Sequence, residues 1–175
     1  MADSHPMRNN LPVTQNEYVI PEGVTLVSTT DLQSHVTYAN EAFLRISGFT
    51  CDELIGQPHN QVRHPDMPKE AFADMWATLK AGESWTALVK NRSKCGDHYW
   101  VRANATPVRH GDGIVGYMSV RTEASREAIA QTAQLYRTMQ REKESGRLVN
   151  VLRNGRLLQN TFYGRMAEFL RPGLS

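Results

Sequence analysis

Trp85-Thr-Ala-Leu-Val-Lys-Asn-Arg92, His98-Tyr-Trp-Val-Arg-Ala-Asn-Ala-Thr-Pro-Val-Arg109 and Ile114-Val-Gly-Tyr-Met-Ser-Val-Arg121 are three runs rich in β-branched and aromatic residues. They are joined by Ser93-Lys-Cys-Gly-Asp97 and His110-Gly-Asp-Gly113, both with the glycine and aspartate chemistry of hairpin turns. Three consecutive antiparallel strands follow from that pattern. Upstream, Thr25–Thr30 and His35–Ala39 flank the polar turn Asp31-Leu-Gln-Ser34 and form a further hairpin. Between the two sets lie short helices. Asn40 caps a helix Glu41–Ser47 closed by Gly48, and Thr50-Cys-Asp-Glu53 has capping-box spacing, with Gly56 as its stop. Phe72, Met75, Trp76 and Leu79 fall on one face of a helix Lys69–Lys80. Helices segregated beside an antiparallel sheet make an α+β domain, here five strands with the helices on one face and room for a ligand beneath them.

The flanks differ in character. Residues 1–24 carry Pro6, Pro12, Pro21 and Gly23 and read as an irregular arm, and residues 25–123 as the domain proper. Residues 124–145 read as a long exit helix whose narrow stripe Ile129, Ala133, Tyr136 and Met139 is expected to contact a second copy or a partner, the alternative being that it packs back on its own sheet. Residues 146–175 read as a basic amphipathic tail with Leu148, Val151, Leu152, Leu158, Phe162, Met166, Phe169 and Leu170 on one helical face, suited to docking on a membrane surface or a signalling partner, or to capping the domain.

Composition limits the function. The 175 residues hold 40% hydrophobic and 22% charged side chains with a formal net charge of +2, which gives no basis for nucleic-acid binding. Residues 141–175 hold seven Arg or Lys against three acids, so any attraction to an acidic surface resides there. No stretch approaches the roughly 20 apolar residues of a membrane span, the amino terminus lacks a secretory signal, and a cytoplasmic location is expected. Cys51 and Cys95 lack CxxC spacing, and His59 and His64 sit five apart without thiolate or acid partners, so no metal site is expected. Serine elbow, HExxH and Walker loop are all absent, which points to a binding protein rather than an enzyme.

Two places carry binding chemistry. In the proline-rich loop 57–68, Arg63 offers a planar fork of donors and His64 an adjustable one, beside Asp66 and just before a helix start; that suits an anion such as phosphate, and equally an ion-paired loop. In the strand 85–92, Trp85 and Asn91 share the face that shows Ala87 and Val89, which suits a flat heteroaromatic ring or an ordinary core tryptophan. Phe72 and Trp76 are the members of the helical stripe suited to a cofactor wall rather than to core alone.

The chain resembles the flavin-binding PAS domain of bacterial aerotaxis receptors over about residues 11–145. The similarity is carried by Ser28-Thr-Thr-Asp31, Tyr38-Ala-Asn40, Ser47-Gly-Phe49, Ala71-Phe-Ala-Asp-Met-Trp76, Val89-Lys-Asn-Arg92, Gly116-Tyr-Met-Ser119 and above all Gly56-Gln-Pro-His-Asn-Gln-Val-Arg-His-Pro-Asp-Met-Pro68. It implies a PAS fold holding FAD non-covalently, with the redox state of the flavin as the signal for oxygen sensing and aerotaxis. It further implies that Arg63, His64 and Asp66 are needed for FAD binding, and that Asn40, Phe72, Trp76, Trp85 and Asn91 line or support the pocket. The reactive-cysteine motif of photosensory LOV domains is lacking. Family members continue into a membrane anchor and a chemotaxis signalling domain, so the chain is expected to be either part of such a receptor or a separate sensor that signals to a partner. A haem or other small-ligand PAS sensor and a cofactor-free dimerisation module are the competing expectations.

Overall fold

The computed structural model describes residues 10–147 and 149–159. In chain order the elements are β1 (Leu26–Thr30), β2 (Val36–Ala39), α1 (Glu41–Ser47), α2 (Cys51–Leu54), a 3-10 turn (His59–Val62), α3 (Lys69–Lys80), β3 (Trp85–Arg92), β4 (His98–His110), β5 (Gly113–Thr122), α4 (Arg126–Glu144), β6 (Asn150–Arg153) and β7 (Arg156–Gln159). Strands β1 to β5 form one antiparallel sheet in the order β2-β1-β5-β4-β3.

Local chemistry sets the helix boundaries. The Asn40 side chain accepts from Phe43 N at 3.1 Å, and Gly48 ends α1 in the left-handed region at φ 75°. Thr50 and Glu53 complete their reciprocal capping box on α2. Asn40 does more than cap: its Oδ1 also accepts from Val27 N at 3.0 Å, while its Nδ2 donates to Thr25 O at 2.9 Å. One amide thereby joins the start of α1 to the start of β1.

Register decides which side chains face α3. Trp85 pairs with Ala105, Val89 with Val101 and Asn91 with Tyr99; on β4–β5, Ala105 pairs with Ser119 and Ala103 with Arg121; on β1–β5, Leu26 pairs with Arg121 and Ser28 with Ser119. Directly paired residues share a face, so Trp85, Val89, Asn91, Tyr99, Ala103, Ala105, Ser119, Arg121, Ser28 and Leu26 all lie on the inner side.

Two expectations are corrected. Helix α4 does not leave the domain. It lies back across the outer face of the sheet, with Ile129, Tyr136 and Met139 buried, Tyr136 stacked on Trp100 at 6.3 Å and its hydroxyl donating to Leu88 O at 2.6 Å. The stripe assigned to a second copy is consumed within the chain, because the exposed half of β3–β4 carries Leu88 and Trp100, which need cover. The tail is not a helix over residues 150–159. Asn154 (φ 50°) and Gly155 (φ 75°) make the two-residue turn of a hairpin that docks on α3. The other residues assigned to the amphipathic face, Leu148 and 160–175, lie outside the described residues.

Candidate functional site

Between the inner face of the sheet, the 57–63 segment and α3 lies a narrow slot with a cavity volume of about 70 Å³. Met75, Trp76 and Leu79 line it from α3, Trp85, Val89 and Asn91 from β3, and Ser28, Ser119 and Arg121 from the middle of the sheet. The apolar walls come from the helical stripe and from alternate residues of β3. That is the expected product of a helix laid on a pleated face.

Of the residues singled out in the sequence, Arg63, Phe72, Trp76, Trp85 and Asn91 border the slot. Trp85 is fully buried, and its indole donates to Asp74 Oδ2 at 2.7 Å. Trp76 meets Tyr117 edge-on at 5.2 Å. The Arg63 guanidinium lies over the Phe72 ring, 3.4 Å from its centroid. Asn91 is buried opposite Tyr99, whose hydroxyl it neighbours, and among the described residues no hydrogen bond of normal geometry reaches its Nδ2. A buried amide left so costs about 1–3 kcal/mol, a cost that a ligand acceptor would remove.

His64, Asp66 and Asn40 are placed elsewhere. The His64 ring is buried behind the wall, edge-on to His98 at 5.8 Å, and its Nδ1 accepts from Asp66 N at 3.1 Å. Asp66 is exposed and ion-paired with Lys90 at 2.6 Å. Both tie the loop to β3, where Arg63 bridges Asn91. His64 does not line the slot; its ring lies beside His98. Asn40 borders no part of the slot and acts through β1, as described above.

The sequence reading missed the polar floor. Arg121 is buried, with its two terminal nitrogens 3.1 and 3.2 Å from Ser28 Oγ, its Nη2 2.7 Å from His59 Nε2 and its guanidinium 4.9 Å above the Phe43 ring. Burial pulls Arg121 down to about 10. Burial, reinforced by the charges of Arg121 and Arg63, pushes the His59 imidazole down to about 3, so His59 is neutral and accepts at Nε2. Among the described residues none of the groups bonded to Arg121 is a carboxylate. The slot thus combines aromatic walls, an unpaired amide and a buried cation without a counterion. Those features fit a planar, electron-accepting heteroaromatic ring with acceptor atoms on its edge.

The comparisons agree with this architecture. Residues 36–121 match the family described as the PAS fold. They form a PAS domain. Over 163 residues the chain is 54% identical to the aerotaxis receptor of Escherichia coli (strain K12), covering 93% of this chain and 30% of that receptor. Over 108 residues it is 28% identical to the nitrogen fixation regulatory protein of Klebsiella pneumoniae, covering 61% of this chain and 22% of the relative. The chain therefore spans less than a third of either relative. The dark structure of the blue-light photoreceptor Aureochrome1 LOV superposes with a TM-score of 0.55 at 20% identity, over 67% of this chain and 86% of that one. At that identity the likeness establishes the fold, and the slot of this PAS domain lies between its sheet and α3.

Proposed function

We propose that the slot holds a flavin, FAD in this chain, bound without covalent attachment, and that the PAS domain is a redox and oxygen sensor for aerotaxis rather than a turnover enzyme. The observation that carries this reading is the conjunction of Trp76, Trp85 and Phe72 as walls, Asn91 with an unsatisfied donor, and Arg121 as a buried cation. The 54% identity to an aerotaxis receptor supports the signalling role.

When bound, a flavin supplies a reversible electron couple whose reduced form is richer in electrons at the ring edge. Arg121 favours negative charge placed above it, since a buried guanidinium in low dielectric gains most from an anionic neighbour. Ser28 and His59 hold that guanidinium in one orientation. Asn91 would donate to an acceptor on the ring edge, and its side-chain hydrogen bonding would have to change with the protonation of that edge. Arg63 suits the phosphate end, while His64 and Asp66 keep its loop fixed to β3. Signalling requires only that the two redox states differ by about 1–3 kcal/mol in their preference for two arrangements of the domain.

Haem is less well served. His59 borders the slot, but its Nε2 is occupied by Arg121, and the His64 ring is buried behind the wall. Output through chemotaxis signalling proteins and a cytoplasmic location belong to the same proposal. Among the described residues no helix is long and apolar enough to cross a membrane.

An absorption spectrum of the purified protein tests the reading, with mass identification of the released chromophore to separate FAD from FMN. Oxidised flavin bands are expected, and Arg63→Ala should give folded protein with little chromophore. A Soret band, or full flavin occupancy in Arg63→Ala, would contradict the assignments.

A further inference from the structure

The carboxylate of Asp74 has a property that the sequence does not advertise. It lies on α3, outside the slot, and receives three N–H donors at 2.7 Å each: the Trp85 indole and the Gly155 amide on Oδ2, and the Asn154 amide on Oδ1. The first belongs to a wall of the slot. The other two form the tip of the β6–β7 hairpin.

A second observation fixes the same junction independently. A Cβ on Gly155 would lie 2.0 Å from Thr86 O, so the hairpin tip sits in backbone contact with β3, one residue beyond Trp85. Around this junction the Thr78 hydroxyl donates to Asn154 Oδ1 at 3.1 Å, and Asn154 Nδ2 donates to Glu83 at 3.1 Å. The hairpin base is held separately by Glu142 at the end of α4, which accepts from Val149 N and Asn150 N.

We propose that Asp74 is a positioning residue that makes the orientation of Trp85 and the docking of the β6–β7 hairpin a single event, so that the hairpin is the element through which the slot reports its state. The signalling half of this proposal rests on the flavin reading above. The coupling half rests on the junction alone. Turning the indole away from Asp74 removes one of three donors and frees Oδ2 from its shared geometry, while any shift of β3 moves Thr86 O against Gly155. By reciprocity, loosening the tip must loosen Trp85 to the same degree.

The experiment uses the full chain labelled with nitrogen-15. Three tryptophans give three indole N–H resonances, and Trp85→Phe assigns the one from Trp85. Gly155→Ala, at the hairpin tip, should displace the Trp85 indole resonance and raise its solvent exchange about tenfold, the middle of the usual coupling range, while Trp76 and Trp100 stay unmoved. If Gly155→Ala does not fold, Asn154→Ala carries the same expectation, because it cuts the bonds to Thr78 and Glu83 without touching a core atom. An unmoved Trp85 resonance in a folded variant overturns the coupling. In flavin-saturated protein, reduction with dithionite should change amide exchange in residues 150–159 about tenfold relative to β4. Flavin binding with no such change overturns the hairpin as reporter. Absence of flavin binding overturns the flavin reading and the reporting role that rests on it, while the Trp85 resonance still decides the coupling.

Discussion

Acid should weaken this domain before its carboxylates protonate, and His59 should account for a defined share of the loss. His59 is held at about 3 and His64 at about 4, both by burial first, then for His59 by Arg121 and Arg63 and for His64 by Lys90. In the unfolded chain each titrates near 6.5. Below that value the unfolded state binds protons that the folded state refuses, so stability falls as pH falls through 6.5 and continues to fall until the folded values are reached. Between pH 7 and pH 5 the linkage amounts to about 2 kcal/mol for each histidine, or roughly 4 kcal/mol together. That is a large part of the 5–15 kcal/mol of a typical domain. Urea unfolding of the protein at pH 7, 6 and 5 measures it, with His59→Asn as the comparison. Whatever the absolute stability of His59→Asn, its loss between pH 7 and 5 should be smaller than that of the unsubstituted protein by about 2 kcal/mol. Equal losses in the two proteins, or no loss from pH 7 to 5 in the unsubstituted one, would refute a neutral buried His59.

Other outcomes follow from single contacts. Asn40→Ala should destabilise the domain by about 2 kcal/mol, since it removes a helix cap and both side-chain anchors of β1, and urea unfolding reads this directly. Gly116→Ala places a Cβ 2.3 Å from Thr30 O and should weaken β1–β5 pairing by more than about 1 kcal/mol; unchanged stability would show that the strands separate freely there. Arg121→Met should lower the reduction potential of bound flavin in spectroelectrochemical titration, because it removes the cation that favours the electron-rich form. A potential that stays constant or rises would place the ring edge away from Arg121.

Most of the sheet and helices were legible in the sequence because their signals are local. The Asn40 cap, the Thr50–Glu53 box and the stripe from Phe72 to Leu79 specify α1 to α3, and the glycine turns specify β3 to β5. The polar floor was not legible. On β5 the apolar Met118 and Val120 alternate with Tyr117, Ser119 and Arg121, and ordinary alternation would turn the apolar pair inward. The structure does the reverse, since the inner face borders a slot and not dry core, while Met118 is 37% exposed. The hairpin 150–159 did carry a local signal, the pair Asn154-Gly155 between apolar runs, which is turn chemistry and outweighs the helical spacing of the apolar residues around it. The fate of the α4 stripe depends on which neighbour needs cover, and no spacing within the helix encodes that.

The strand order β2-β1-β5-β4-β3 places the first and last strands of the sheet side by side at its centre. Ser28 and Arg121, the two residues that meet there, are 93 positions apart. A growing polypeptide therefore emerges with α1 to α3 and its first hairpin before it possesses a ligand chamber, for the chamber acquires its floor and its positive charge only when β5 arrives. Pairing over such a distance is entropically slow compared with hairpin closure. The slot is thus complete only once β5 has joined β1, and a ligand that needs Arg121 reads whether the chain extends through β5.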